Sequence, residues 1–199
     1  MLFRSTVNNV SVMIHNNEEN YFLNEKEIKN FISEHQLPLL NQKFSKIKLS
    51  EIENVLDQHP AIENAEVSSE MNGNVKIEVW QRTPMLRIIN RGGESYYIDN
   101  NSKLMPLNTN YTARVLVASG DLYEPFSRRK MFSVKQMERS KLYSDVTMLD
   151  DVYELAKFIE ADSSLNFLIQ QIYVNKEKDI ELFPSIGNHK IILGTIENM

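Results

Sequence analysis

The residues around Asn72-Gly73 constrain this chain more than any others. An Asn-Gly pair is a strong signal for a two-residue hairpin turn. Ala65 and Val67 begin an alternating segment before it, and Val75, Ile77 and Val79 alternate with Lys76, Glu78 and Trp80 after it. An antiparallel strand pair with one apolar face follows, and that face needs cover. Two helical segments upstream supply it. Asn24 followed by Glu27 is a capping-box signal, Ile28, Phe31 and Ile32 recur at helical spacing, and Leu37-Pro38 ends the run, so a helix is predicted over about 25–35. Ser50 and Glu53 form a second such box, Ile52, Val55 and Leu56 supply the stripe, and Pro60 blocks continuation. Ahead of both, Val10, Val12 and Ile14 alternate with Ser11, Met13 and His15, the period of a half-buried strand. The order β-α-α-β-β is a compact α+β module whose helices lie on one sheet face, burying Ile28, Phe31, Ile52, Leu56, Ile77 and Val79.

The remainder reads as a β-rich domain with a packed helix. Gly92-Gly93 marks a turn, and the runs 95–99 and 104–107 flank a second turn at Asp99-Asn100-Asn101-Ser102. Val115, Leu116 and Val117 form a short buried-strand run ending at Gly120. Val152, Leu155, Ala156 and Ile159 recur at i, i+3, i+4 and i+7, which predicts a helix over about 149–160 lying on a sheet. Ile172 and Val174, Ile180 and Leu182, and Ile191 and Leu193 then give three strands of an antiparallel meander. Between Asp121 and Met148, Arg128, Arg129, Lys130, Lys135, Arg139 and Lys141 make segment 128–141 basic. It reads as a solvated connection with one short helix, or as a contact for an acidic partner or anionic headgroups. The domains divide at 1–84 and 85–199. Trp80, Arg82 and Pro84 stand at the junction, where Arg82, on the same strand face as Trp80, can stack on the indole or hold a carboxylate and so orient the two domains. Pro84 ends pairing there or lies on an edge.

Composition narrows the function. With 199 residues, 42% hydrophobic and 25% charged, the chain has the make-up of an ordinary globular protein, and its net charge of -5 argues against general nucleic-acid binding. It has no cysteine, so disulfides and thiolate sites are excluded. None of the four histidines, His15, His35, His59 and His189, stands in a metal-ligand spacing, and no nucleophile elbow or phosphate-binding loop is present. Asp150-Asp151 fits a helix start. Asp99 fits a turn, and so does His189. No catalytic, cofactor or metal site is therefore expected; a pocket gathering His189, Asp99 and a serine would point instead to a hydrolase.

The segments HPAIENAEV, VKIEVWQRTP and YYIDNNSKLMPL, then YTARVLVASG, VYELAKFI and QQIYVNKEKDIELFPSIGNHKIILG, taken in that order, resemble the FtsQ/DivIB cell-division family in its Bacteroidetes-type form. The resemblance covers almost everything from Asn24 onward. It implies a POTRA-like module followed by a β-rich domain, with no enzymatic role. It also implies a divisome scaffold that binds FtsB- and FtsL-type bitopic proteins and links early and late division components. The full-length protein is then held in the cell inner membrane by an N-terminal helix absent before Val10, with this region periplasmic at the division septum. The C-terminal end is expected to be truncated at Glu197-Asn198-Met199, where resembling proteins continue through a helix and a last strand that docks FtsB. Partner-binding residues are accordingly expected at Lys190, Ile191, Ile192 and Leu193 of the last strand here, with Tyr173 and Asn175. An edge left bare in this way predicts concentration-dependent, edge-to-edge association. Ser102 occupies a position that carries glycine more often in the family, and a positive φ there costs a serine about 1 kcal/mol or more. The alternative function is a POTRA-type peptide-binding module of an outer-membrane assembly or transport protein.

Overall fold

The computed structural model describes residues 6–15, 21–70, 72–109, 111–124, 133–134 and 147–195. All six basic residues of segment 128–141, the short helix expected there, and Glu197-Asn198-Met199 lie outside the described residues. No helix among the described residues is long and apolar enough to cross a membrane. The chain divides into two compact units, Met1–Thr83 and Pro84–Met199.

In the first unit, β1 (Asn9–His15) is followed by α1 (Glu25–Glu34), α2 (Leu49–Leu56), β2 (Ile62–Ser69) and β3 (Asn74–Gln81). The sheet order is β1-β3-β2, with β1 parallel and β2 antiparallel to β3. Helix α1 starts where the sequence places it. The Glu27 N–H donates to Asn24 Oδ1 and the Asn24 N–H donates to Glu27 Oε2, both at 3.0 Å, closing the capping box. Helix α2 departs from expectation. It starts two residues earlier, with Lys48 at the N-cap and no side-chain cap, so Ser50 lies inside the helix. Glu53 instead accepts the Val67 N–H at 2.8 Å, and Asp57 accepts the Ala65 N–H at 3.0 Å, so two carboxylates bind α2 to β2. Charge-assisted bonds of this kind outweigh a local cap.

Ile28, Ile32, Ile52 and Leu56 pack onto Val10, Ala65, Val67, Val75, Ile77 and Val79. Each large side chain so buried contributes about 1.5–3 kcal/mol. Phe31 is only partly buried, against expectation, because it stands at the rim with the rings of His35 and His59 at 4.4 and 4.7 Å. The β2–β3 turn is one residue longer than the two-residue form: the Gly73 N–H donates to the Glu70 carbonyl, the Glu70 N–H to the Asn74 carbonyl, and Gly73 takes φ +89°. This is the three-residue hairpin that wants glycine in the left-handed position.

Burial holds the His59 pKa below its ordinary value, against an opposing pull from Glu27, and its Nδ1 accepts the Ala61 N–H. A histidine kept neutral in this way adds stability that is full above its unfolded pKa of about 6.5 and is lost as pH falls through the lowered folded value. Trp80, the single tryptophan, reports this unit. Denaturation followed by its fluorescence should therefore show stability falling below pH 6.5, and His59→Gln should flatten that slope.

The second unit holds β4 (Pro84–Ile89), β5 (Ser95–Asp99), β6 (Leu104–Pro106), β7 (Leu116–Gly120), α3 (Leu149–Ala161), α4 (Ser163–Leu168), β8 (Ile169–Val174), β9 (Ile180–Pro184) and β10 (Ile191–Gly194). Its seven strands run β10-β9-β8-β7-β4-β5-β6. Strand β7 is parallel to both β4 and β8, and β8-β9-β10 form the expected antiparallel meander. Strand β4 has no clean alternation, because Pro84, Met85, Leu86 and Ile88 are all buried. Pro84 therefore does not end pairing: it opens β4 opposite Asp99, at the strand start where a missing N–H is tolerated. The run at Val115, Leu116 and Val117 is half-buried, and only Ala118 of β7 is buried. The sheet is covered by α3 on one face, where Val152, Leu155, Ala156 and Ile159 meet Leu86, Ile88, Tyr96, Ile98 and Ile172.

The β5–β6 turn is fixed from two sides. Asp99 Oδ1 accepts the N–H groups of Asn101 (2.9 Å) and Lys103 (2.7 Å), as an Asx turn requires. The Tyr153 hydroxyl of α3 donates to the Asn100 carbonyl at 2.9 Å, and burial, with Asp99 nearby, raises its pKa to about 12, so it stays a donor. Ser102 sits in this turn at φ +64°, buried, with its Oγ lacking a hydrogen-bond partner among the described residues. Ser102→Gly should relieve both penalties and raise unfolding stability by about 1 kcal/mol, measured by denaturant titration.

Candidate functional site

The β8-β9-β10 end of the second sheet assembles most of the expected binding residues. Strand β8 alternates Ile172 and Val174 toward α3 with Gln171 and Tyr173 away from it, and β9 repeats the pattern with Ile180 and Leu182. A turn closed by Asn175 joins them: Asn175 Oδ1 accepts the Asp179 N–H at 2.9 Å, and Lys178 takes φ +69°. Lys178 Nζ then reaches across to Asp121, donating to its carbonyl at 2.8 Å and pairing with its carboxylate at 3.1 Å. That bond, with Arg91 adding its charge, holds the Asp121 carboxyl below the usual range.

Gly120, just before, lets β7 meet β8. It adopts φ +106°, and a Cβ there would collide with the Val174 carbonyl. Gly120→Ala should therefore cost about 2 kcal/mol or more, read as a lowered denaturation midpoint of the second unit.

Beyond β9, the loop returns through Ser185, whose N–H and Oγ donate to the Leu168 and Phe167 carbonyls at 2.7 and 3.1 Å. Among the described residues, strand β10 then pairs with β9 on one side, Ile191 opposite Leu182 and Ile192 opposite Glu181. Lys190 pairs with the buried Glu181 carboxylate at 2.8 Å. Ile192 is 64% exposed on the face away from α3, Ile191 is 41% exposed on the other, and Leu193 touches the core. Lys190, Ile191, Ile192 and Leu193 thus form one edge. Tyr173 lies two strands inward on the Ile192 face, edge-on to Phe183 at 6.3 Å. Asn175 belongs to the adjoining turn, where its side-chain oxygen already serves Asp179.

The sequence reading missed the exposed side chains next to this edge. Phe167 and Leu168 of α4 and Ile186 of the β9–β10 loop are 74%, 42% and 64% exposed, and the Ser185 bonds hold that loop against the end of α4. The available signal was Asp162, whose carboxylate caps α4 by accepting the Ser164 and Leu165 N–H groups.

At the junction, the ring stacked on Trp80 is that of His15, at 4.7 Å and 14°, with His15 Nε2 bonded to Glu78 at 3.2 Å. Arg82 lies past the end of β3, so it does not share a strand face with Trp80; it is buried, and its N–H donates to the Ala61 carbonyl. The hydrolase arrangement does not assemble. Asp99 is buried in its turn on β5, and His189 is exposed beside β9, four strand positions away in the sheet or about 19 Å. Among the described residues no group of acidic and histidine side chains could hold a metal ion.

A family model described as FtsQ/DivIB, C-terminal related, matches residues 83–199, and one described as POTRA-like domain matches residues 5–80. No curated protein matches the chain.

Proposed function

Because the chain belongs to the FtsQ/DivIB C-terminal related family and carries a POTRA-like module ahead of that region, we propose that it is a divisome scaffold acting by binding, not by catalysis. Its partners are division proteins of the FtsB and FtsL type, held at the inner membrane and septum with this region in the periplasm. Strand β10 is the docking edge, and Trp80, Arg82 and Pro84 orient the two units. One observation carries the docking assignment. β10 is the last strand of a seven-stranded sheet, and it exposes isoleucines on both faces beside backbone groups that, among the described residues, β9 pairs from one side. An extended partner segment can add there as an eighth strand, with main-chain bonds for affinity and the faces of Ile191 and Ile192 for specificity.

The reading is tested by titrating the full chain with the extracytoplasmic segments of FtsB and FtsL from the same organism. Ile192→Asp places a charge on an exposed edge position and should leave folding intact. It should weaken binding at least about tenfold, the effect of roughly 1.4 kcal/mol. Undiminished binding by that variant moves the docking site elsewhere, and absence of binding by the parent chain removes both partners.

A further inference from the structure

The chain has one Asn-Gly pair, Asn72-Gly73, and it lies in the β2–β3 turn. Asparagine before glycine is the pairing most open to deamidation, because glycine has no side chain to keep its backbone nitrogen from the neighbouring amide carbon. Hydroxide takes the Gly73 amide proton, the nitrogen attacks Cγ of Asn72, and a cyclic imide forms. The Cγ–Nδ2 bond breaks, and Nδ2 leaves as ammonia after taking a proton from water. Water then opens the imide at either carbonyl, leaving aspartate or isoaspartate at position 72. The folded turn opposes the first of these steps. Gly73 is buried and its N–H donates to the Glu70 carbonyl at 3.1 Å, so the proton that must leave is both bonded and shielded. The amide carbon is held as well. Asn72 Oδ1 accepts the Asn74 N–H and Asn72 Nδ2 donates to Glu70 Oε2, each at 3.0 Å, which anchors the exposed side chain at both ends. The bond at Oδ1 draws electrons from Cγ and by itself favours attack, so the block lies at the Gly73 nitrogen. Val75, fully buried opposite Ser69 in the rung beside the turn, and the Asn8 N–H, bonded to the Gly73 carbonyl at 2.9 Å, keep this arrangement closed.

We propose that Asn72-Gly73 is a latent modification site: the closed hairpin withholds it from deamidation, opening of the turn exposes it, and the isoaspartyl product keeps the turn from closing again. The two products differ in what they do to the turn. Aspartate leaves the backbone as it was and loses one donor, so the bond from Nδ2 to Glu70 becomes a meeting of two carboxylates. Isoaspartate routes the backbone through Cβ. It adds a methylene between Glu70 and Asn74, whose N–H and carbonyl groups close the hairpin, and hairpin register depends on loop length. The bonds from Gly73 to the Glu70 carbonyl and from Glu70 to the Asn74 carbonyl then do not both re-form. Opening of the first unit thus leaves a permanent mark in its own backbone. This inference is independent of the docking role of β10.

The test is peptide mapping by mass spectrometry of the full chain incubated at mildly alkaline pH, once in buffer and once in urea above its denaturation midpoint. Deamidation at Asn72 should run at least about tenfold slower in buffer, because only the opened fraction reacts. Val75→Ala loosens the rung beside the turn without changing the Asn-Gly pair. It should speed deamidation at least about threefold in buffer and leave the rate in urea unchanged. Urea below the midpoint covers the case in which that variant does not fold, since the rate of the parent chain should climb there with denaturant. Aspartyl and isoaspartyl chains, separated by chromatography and refolded, are then compared by amide hydrogen exchange. Only the isoaspartyl chain should lose protection at Glu70 and Gly73. Equal rates in buffer and in urea overturn the proposal, and so does a folded Val75→Ala that deamidates no faster than the parent in buffer. An isoaspartyl chain with the parent's protection at both amides overturns it equally.

Discussion

Neither sheet of this protein closes on itself, so four strands have an edge whose peptide groups need partners other than a neighbouring strand of the sheet. An unpaired buried donor or acceptor costs about as much as a lost hydrogen bond, and an exposed one invites another chain. The structure treats the four edges differently. Strand β2 gives its outward N–H groups to Asp57 and Glu53 of α2. Strand β6 is three residues long, ends in Pro106, and is preceded by the Lys103–Ser133 bridge on the side away from β5. Strands β1 and β10 keep unpaired positions among the described residues.

The rest of each unit makes those edges available in a fixed shape. In the second unit, α3 covers one face, and the Tyr153 hydroxyl ties it to the β5–β6 turn, at the far end of the sheet from β10. At the near end, Lys178 and Asp121 tie the β8–β9 turn to the end of β7, where Gly120 allows two backbones to approach within the reach of a side chain. These bonds tie the β8-β9-β10 meander to the end of β7.

Local signals were legible wherever one residue type answers one local demand. The Asn24–Glu27 box, the stripe at Val152, Leu155, Ala156 and Ile159, and the strained Ser102 are each fixed within a few residues of sequence, and each is present in the structure. The candidate site was partly legible for the same reason, since the alternation at Ile191 and Ile192 already assigns them to opposite faces. Ser50 was misleading because the competing bond, from Glu53 to Val67, joins residues far apart in the chain. Strand β4 was missed because Pro84, Met85, Leu86, Ile88 and Ile89 are all apolar, so the sequence lacks the alternation that marks a strand. Asp162 marked the start of α4, but the exposure of Phe167, Leu168 and Ile186 depends on the Ser185 bonds to the end of that helix, which join residues distant in the chain.

The sequence by itself determined most of the segments: which are helical, which are extended, and which face of each is apolar. Those properties depend on side-chain period and on backbone preferences that act over a single turn or strand. Only the tertiary structure decided that β7 lies parallel between β4 and β8, that the His15 ring stacks on Trp80, that carboxylates of Glu53 and Asp57 meet the β2 edge, and that β1 and β10 are the outer strands of their sheets. Strand order and edge status are set by hydrogen bonds between residues distant in the chain, and the period of a segment carries no record of its neighbours.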